Sequence, residues 1–303
     1  MIRAGAALAL IAVAVPSSSA VTQDWSAELR EQMHRMATVG YRLSLTAEPT
    51  CAVKAAKTGL LVDDAAAYNA RDRPRVARLL GLADLPQVAS VVPDSPASAA
   101  GILAGDDIFA INGRTTSELK SALIAPDLIA DEIENKLAST PSGASLQLDL
   151  RRRSKRILVN FLPVEGCGAK FVIKTGRGME AFSDAQNVGL SAKLIAFTQS
   201  DDELAMVAGH ELAHIIYGDA TSKDHVMQRD KEDRADLLGA SLARCAGYDL
   251  RRALGFWPRY DKQDWLRFFR DSSHRSVKRR VALIEAYSLS GPCPPMLAPK
   301  PKV

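Results

Sequence analysis

The chain has 303 residues, of which 47% are hydrophobic and 24% are charged, and its formal net charge is +4. This length has room for two domains of ordinary size, each with its own hydrophobic core. The net charge is small, and the one basic cluster, at residues 151–156, has no interleaved aromatic side chains for stacking on bases. We therefore expect no nucleic-acid partner.

The first 20 residues are typical of a secretory signal peptide. Arg3 precedes an apolar run over residues 4–15, and small residues end the segment at Ala20. The run is too short to span a bilayer comfortably, which favours cleavage after Ala20, with an uncleaved N-terminal anchor as the alternative. With cleavage, we expect no integral membrane segment and a periplasmic location.

The segment 21–60 carries two predicted elements. Leu29, Met33 and Met36 lie on one side of an amphipathic helix over residues 24–37, and an alternating pattern over residues 41–45 predicts a strand.

Residues 68–165 have the pattern of a small β-rich domain. A strand and a Pro-Ala turn over residues 86–97 precede a second strand that ends at Asn112-Gly113, a pair typical of tight hairpin turns. Helix is predicted over residues 117–138 and a closing hairpin over residues 145–162. The whole pattern resembles a PDZ domain of the circularly permuted bacterial kind.

That resemblance assigns Leu80, Gly81 and Leu82 to a loop whose backbone N–H groups bind the C-terminal carboxylate of a peptide. It implies a module for substrate capture or gating. The alternative is a PDZ scaffold whose groove is filled by its own chain.

Four cysteines occur without any C-x-x-C spacing, so a cysteine zinc site is not expected. An even count in a secreted chain predicts two disulfides, with three possible pairings, and free buried thiols are the alternative. We favour Cys51–Cys167 and Cys245–Cys293, because the first pair brackets the inserted domain.

The most informative stretch is His210-Glu211-Leu-Ala-His214. Two histidines four residues apart lie on one face of a helix, so both imidazoles can bind one metal ion while Glu211 holds a water molecule. A Ser-Asp-Asp-Glu sequence at residues 200–203 predicts a capping box at the start of this helix. The spacing is that of zinc hydrolases, with chance stacking of two histidines on a buried helix as the alternative.

A second predicted helix supplies a third ligand. Glu232 and Asp236 share one of its faces, so Glu232 can bind the ion while Asp236 accepts the outer N–H of a ligand histidine, which we expect to be His210. The alternative is a solvated charged face, since residues 230–234 are all charged.

These motifs together resemble the CAAX-prenyl-endopeptidase and HtpX-type gluzincin zinc metallopeptidases, in a secreted branch that contains a PDZ domain. The resemblance covers about residues 165–290. It implies an α+β protein with a mainly helical zincin-type domain and a small edge sheet, at residues 21–60 and 166–290, interrupted by the inserted PDZ-like domain. The proline-rich residues 291–303 are expected to be disordered.

The resemblance also implies roles for individual residues. His274 or Arg280 would stabilise the oxyanion, and His274 is alternatively a resting zinc ligand or a residue without metal contact. A substrate-binding edge strand is expected at Asn187, Val188, Gly189, Leu190 and Ser191. Glu180 and Arg275 depart from the family pattern, which carries Asn and Pro there.

The sequence therefore predicts a zinc endopeptidase with one Zn²⁺ per chain, in which Glu211 is the general base. Its substrate would be an unfolded or misassembled polypeptide of the bacterial envelope, in protein quality control. The alternative is a non-catalytic or latent peptide-binding quality-control factor with a capped zinc site. A zinc hydrolase of non-peptide substrates is a weaker third interpretation.

Overall fold

The computed structural model describes residues 25–221, 227–262 and 275–296. The predicted signal peptide, His274 and residues 297–303 lie outside them. Among the described helices, none combines the length and apolar character needed to cross a membrane.

Two hydrophobic cores divide the described chain. One joins the N-terminal helix to residues from Cys167 onward, and the other lies within residues 62–150. The predicted α+β architecture with an inserted domain is confirmed. Its strands are β1 (Lys54–Lys57), β2 (Leu60–Asp63), β3 (Gln87–Val91), β4 (Asp107–Ile111), β5 (Arg114–Thr115), β6 (Leu146–Arg152), β7 (Lys155–Phe161), β8 (Val164–Cys167), β9 (Lys170–Lys174), β10 (Ala181–Ser183) and β11 (Asn187–Ser191).

The described helices, short 3₁₀ turns aside, are distributed over both parts of the chain. They are α1 (Trp25–Ala47), α2 (Arg73–Leu80), α3 (Pro96–Ala99), α4 (Thr116–Ser121), α5 (Ile129–Ala138), α6 (Ala192–Phe197), α7 (Asp201–Tyr217), α8 (Gln228–Cys245), α9 (Leu250–Ala253), α10 (Phe256–Asp261) and α11 (Val277–Tyr287).

Helix α1 is a single 23-residue helix, so the strand predicted over residues 41–45 is wrong. Val39, Leu43 and Ala47 are fully buried at a spacing of four, which is the helical period. The short alternating pattern fits a strand equally well by itself, and packing of this helical face into the core formed with residues from Cys167 onward decides the outcome.

The inserted domain is an antiparallel sheet in the order β2-β3-β4-β6-β7, with β5 beside β4. The closing hairpin predicted over residues 145–162 is confirmed as β6–β7. The sheet begins at Leu60, upstream of the predicted boundary at residue 68. The helix predicted over residues 117–138 divides into α4 and α5, separated by a short 3₁₀ turn that starts at Pro126 and by the residues before it.

The two chain segments that enter and leave the inserted domain are joined to each other. Strands β1 and β8 pair in antiparallel register, and the disulfide Cys51–Cys167 closes the same junction. The second disulfide, Cys245–Cys293, joins the end of α8 to the segment after α11. Both predicted pairings are confirmed.

The core that includes the N-terminal helix is built on α7, which packs against α8 and against the sheet β10-β11-β9. Ser200 caps α7 by accepting the Glu203 N–H. The Glu203 carboxylate accepts the N–H of Gln199 rather than that of Ser200, so only half of the predicted capping box forms.

Candidate metal centre

Two histidines and a glutamate converge between α7 and α8. The Nε2 atoms of His210 and His214 lie 3.2 Å apart. The Oε2 atom of Glu232 lies 3.3 Å from His210 Nε2 and 3.4 Å from His214 Nε2. The three atoms therefore form a nearly equilateral triangle of buried or half-buried ligand atoms.

This triangle has the dimensions of one face of a tetrahedral zinc site. Zinc binds imidazole nitrogen and carboxylate oxygen at roughly 2.0–2.1 Å, so two ligands of a tetrahedral ion are about 3.3–3.4 Å apart. A hydrogen bond would bring a nitrogen and an oxygen to about 2.9 Å. The three side chains thus fit a shared zinc ion better than mutual hydrogen bonding.

The two helices approach closely enough to share an ion because glycines meet where they pack. A Cβ atom on Gly209 would lie 2.6 Å from the Gly239 carbonyl oxygen, and one on Gly239 would lie 2.6 Å from the Gly209 carbonyl carbon. No side chain fits between these backbones without a shift. Gln228, one turn before Glu232, donates to Glu232 Oε1 at 2.7 Å and orients the carboxylate so that Oε2 faces the histidines.

The outer nitrogen of His210 is held by Asp236. Their Nδ1 and Oδ1 atoms lie 2.9 Å apart. Because a carboxylate only accepts, the proton resides on Nδ1, and Nε2 keeps its lone pair for a metal. Arg280 donates to Asp236 from Nε at 2.7 Å and again from Nη2, while its guanidinium lies 3.7 Å from the centre of the Trp257 ring.

This position bears on the predicted oxyanion role of Arg280. The guanidinium is buried and lies on the Nδ1 side of His210, away from the Nε2 atoms that face the site. It orients a ligand through Asp236, and the predicted catalytic role finds no support in this placement.

His214 has a matching partner that sequence reasoning missed. Its Nδ1 atom lies 2.8 Å from Asp219 Oδ2, and Arg234 of α8 donates to the other oxygen of the same carboxylate. Asp219 follows Gly218, whose left-handed backbone ends α7 and turns the chain back toward His214. A glycine followed by an acidic residue one turn after the motif is the signal that indicates this partner.

The metal-free centre is also a proton-binding site. Burial lowers the pKa of His210, but the neighbouring carboxylates of Asp236 and Glu232 outweigh this effect and raise the pKa to about 9. Burial raises the pKa of Asp236, yet hydrogen bonds from Arg280 and His210 hold it well below its ordinary range. Proton and metal therefore compete for the same buried cluster of negative charge.

Glu211 projects beside the triangle and is itself nearly buried. Its Oε2 atom accepts a hydrogen bond from the Ser183 hydroxyl at 2.9 Å. Ser183 is the last residue of β10, so this strand lies next to the motif helix. No role for the Ser183 side chain is predicted from the sequence.

Comparisons with known proteins agree with this geometry. Residues 147–228, which include both histidines and Glu211, match the profile of peptidase family M48. Residues 87–125 match the profile of a PDZ domain. The predicted resemblance to M48 metallopeptidases with a PDZ domain is confirmed. No curated protein matches the sequence significantly.

Solved structures match parts of the chain. They include the HtrA-type protease AlgW with a decapeptide, at 24% identity over 37% of this chain and 29% of that one, with a TM-score of 0.28. The HtrA3 PDZ domain bound to a phage-derived ligand matches at 20% identity over 37% and 89%, with a TM-score of 0.28. A serine endoprotease from Yersinia pestis matches at 29% identity over 26% and 25%, with a TM-score of 0.21. This chain thus spans under a third of the AlgW protease.

The strand that borders the candidate metal centre is β10, and the prediction of an edge strand at residues 187–191 is wrong. Strand β11 holds those five residues and is paired on both sides, with β10 and with β9. The backbone N–H and C=O groups of β11 therefore already have hydrogen-bond partners in the neighbouring strands. Since Glu180 and Asp184 bond to β11, the backbone groups of Ala181 and Ser183 face the opposite, outer edge.

In the PDZ domain, the carboxylate loop predicted at residues 80–82 is also wrong. Gly81 has a left-handed backbone that ends α2, and the N–H groups of Gly81 and Leu82 both bond to the Ala77 carbonyl. Because these N–H groups already bond to a carbonyl of their own helix, they are not available to bind a peptide carboxylate.

The groove of the PDZ domain lies instead between β2 and α5, and its donors are already engaged. Along the outer edge of β2, the N–H groups of Leu60, Val62 and Asp64 bond to side chains of Thr58, Glu134 and Asp63 respectively. A cavity of about 180 Å³ remains there, and its far wall consists of α1 and β9.

Glu134 and Lys57 are two of the ionisable residues that line this cavity. Burial raises the pKa of Glu134 to about 7, and burial lowers the pKa of Lys57 to about 8. Helix α1, which forms part of the cavity wall, also binds the PDZ domain directly. Arg30 pairs with Asp63, and His34 contacts the Ser90 hydroxyl. His274 lies outside the described residues, so its predicted roles stay predictions.

Proposed function

We propose that the protein is a zinc-dependent endopeptidase. The observation that carries this proposal is the triangle of His210, His214 and Glu232, whose edges match a tetrahedral ion, with Glu211 beside it. When bound, zinc would act as a Lewis acid on a water molecule and on the scissile carbonyl.

The chain's own groups would do the rest of the chemistry. Glu211 accepts the proton of the attacking water and returns it to the leaving amine. Asp236 and Asp219 keep both imidazoles in the tautomer that presents Nε2.

An extended polypeptide is the substrate class that fits the cleft. The outer edge of β10 offers backbone donors and acceptors at Ala181 and Ser183, within reach of Glu211 through the Ser183 side chain. Strand addition at such an edge aligns a peptide by main-chain hydrogen bonds and is tolerant of side-chain sequence.

For the PDZ domain, we propose a gating role rather than open capture. The donors of β2 are bound by the domain's own side chains, and α1 and β9 of the peptidase part form a wall of the groove. A peptide entering the groove must displace Glu134 and push against elements that also support the catalytic sheet.

The disulfides and the N-terminal segment together support a role in the bacterial envelope. Two structural disulfides form in oxidising compartments, and the signal-type sequence would direct the chain to the periplasm. We propose unfolded or misassembled envelope proteins as substrates.

Metal analysis and digestion of casein test the function. The purified chain should contain about one zinc and should cleave casein, and a chelator should remove both properties together. Glu211→Gln should retain zinc and lose cleavage. If zinc-loaded wild-type protein leaves casein intact, the latent peptide-binding factor becomes the better assignment.

A further inference from the structure

Strand β10 is held rigidly beside the motif helix. At its start, the Glu180 N–H donates to Ser191 Oγ at 3.0 Å, and the Tyr260 hydroxyl donates to the Met179 carbonyl at 3.3 Å. The Phe182 ring lies against Gly189 of β11, where a Cβ atom would collide with it. These contacts fix the position of β10 and its register with β11.

The end of β10 is closed by a tight turn. The Asp184 carboxylate accepts the backbone N–H groups of Gln186 and Asn187 at 2.7 Å each, and the Asp184 N–H donates to the Asn187 carbonyl at 3.1 Å. Ser183, immediately before this turn, therefore has little freedom to move.

Ser183 lies at a junction of two parts of the site. Its backbone N–H and C=O face the outer edge of β10, where an extended substrate would add. Its side chain points to α7 and donates to Glu211 Oε2 at 2.9 Å. One rigid residue thus contacts both the substrate path and the carboxylate that handles the proton.

We infer that Ser183 is a positioning residue, which holds the Glu211 carboxylate in line with a substrate strand bound to β10. This inference rests on the proposed endopeptidase function. A carboxylate with two free rotamers would spend only part of its time oriented toward the water. The Ser183 hydroxyl selects one orientation of the Glu211 carboxylate. Because Ser183 belongs to β10, that orientation is set relative to the strand along which the substrate would bind.

Two other roles for the hydroxyl make different predictions. If Ser183 contacts the substrate through its side chain, its removal raises KM. If it only satisfies a buried polar group, its removal lowers stability and leaves the turnover of the folded enzyme unchanged. A positioning role lowers kcat while KM, zinc content and stability stay near the wild-type values.

The test compares Ser183→Ala, Ser183→Thr and the exposed control Ser142→Ala in the zinc-loaded full chain, with an internally quenched peptide as substrate. We expect Ser183→Ala to lower kcat roughly 10- to 100-fold with KM within about twofold. Ser183→Thr keeps a hydroxyl and suits a strand, so it should recover most of kcat. Ser142→Ala should match the wild type.

A second readout separates binding from chemistry. In the Glu211→Gln background, adding Ser183→Ala should leave the Kd for the uncleaved peptide unchanged, because the backbone of β10 is intact. Unchanged kcat in Ser183→Ala, no recovery in Ser183→Thr, a raised KM, or a weakened Kd would each overturn the inference while leaving the endopeptidase function in place. If the wild type itself cleaves nothing, the proposed function fails first and the inference fails with it.

Discussion

The Glu134 carboxylate on α5 accepts a hydrogen bond from the Val62 backbone N–H at 2.9 Å. This contact occupies the middle of the strand edge at which a PDZ domain would pair with a peptide. Leu60 and Asp64, on either side, also donate to the domain's own side chains. A peptide that pairs with this edge must therefore replace these hydrogen bonds.

Replacing Glu134 should open the groove. In Glu134→Ala the Val62 N–H loses its acceptor, and a peptide carbonyl can satisfy it without displacing a carboxylate. We expect the Kd for a labelled peptide with a free C-terminus to tighten about 5- to 10-fold, because less of the protein is held in a closed state. Fluorescence anisotropy measures this change.

Glu132→Ala is the matched control, since Glu132 lies on the same helix and pairs only with Lys136 at 3.4 Å among the described contacts. Its peptide affinity should equal that of the wild type. Equal affinities for the Glu134→Ala variant and the wild type would show that this carboxylate does not close the groove.

The same carboxylate should make stability depend on pH. Burial raises the pKa of Glu134 from 4.5 to about 7, against the lowering effect of the Val62 hydrogen bond. The folded chain then binds this proton more tightly than the unfolded chain does, so its contribution to stability falls as pH rises from about 4.5 to about 7. Nearby Asp131 and Asp63 add to the rise, and Lys170 opposes it.

Glu134→Gln removes this titration and keeps an acceptor for Val62. Relative to the wild type, its free energy of unfolding should increase by on the order of 1 kcal/mol between pH 5 and pH 8. Urea unfolding of both chains, metal-free and with disulfides intact, gives the difference at each pH. Parallel curves would contradict the raised pKa.

The sequence predicted what depends on local spacing. His210 and His214 lie on one helix face because they are four residues apart, and Glu232 and Asp236 share a face for the same reason. Both disulfides followed from the position of Cys51 and Cys167 around an insertion. The helix faces require only local spacing, whereas the disulfide pairing requires that the inserted domain be recognised.

The errors concern contacts that local sequence does not encode. The edge-strand prediction fails at β11 because this strand also pairs with β9, whose residues lie 17 positions earlier in the chain, and local sequence does not encode that pairing. The Leu80-Gly81-Leu82 sequence serves equally well as a helix end, and only its bond to Ala77 decides between the two. Asp219 and Ser183 acquire their roles from neighbours in space, and their residue types alone are unremarkable.

Asp219 should set the affinity for zinc. It fixes the tautomer and orientation of His214, and partners of this kind typically change metal affinity 10- to 100-fold when removed. Asp219→Asn leaves a side chain of the same size but no negative charge. We expect its zinc Kd, measured by competition with a chromogenic chelator, to weaken by roughly that factor.

Asp233→Asn provides the comparison, since Asp233 adjoins Glu232 in sequence but pairs with Arg275 at 2.7 Å. Removal of its charge should change zinc affinity about twofold or less. A similar loss in both variants would mean that the general negative charge of the region, and not the contact with His214, determines affinity.

The close packing of α7 and α8 should be needed to assemble the centre. A Cβ atom at position 239 would lie 2.6 Å from the Gly209 carbonyl carbon and would also meet the backbone of His210. Gly239→Ala must therefore push the two helices apart, and the Glu232 carboxylate moves away from both histidines. Overpacking of this kind costs about 1–3 kcal/mol, and the change in spacing should weaken zinc binding at least tenfold.

Ser241→Ala is a suitable control on the same helix, because its hydroxyl bonds only to the Leu237 carbonyl at 2.8 Å among the described contacts. Its unfolding free energy and zinc Kd should remain close to the wild-type values. The two measurements on Gly239→Ala also separate packing from metal geometry. Destabilisation with unchanged zinc affinity would show that Glu232 can follow the histidines despite the wider spacing, so that the triangle does not depend on the glycine contact.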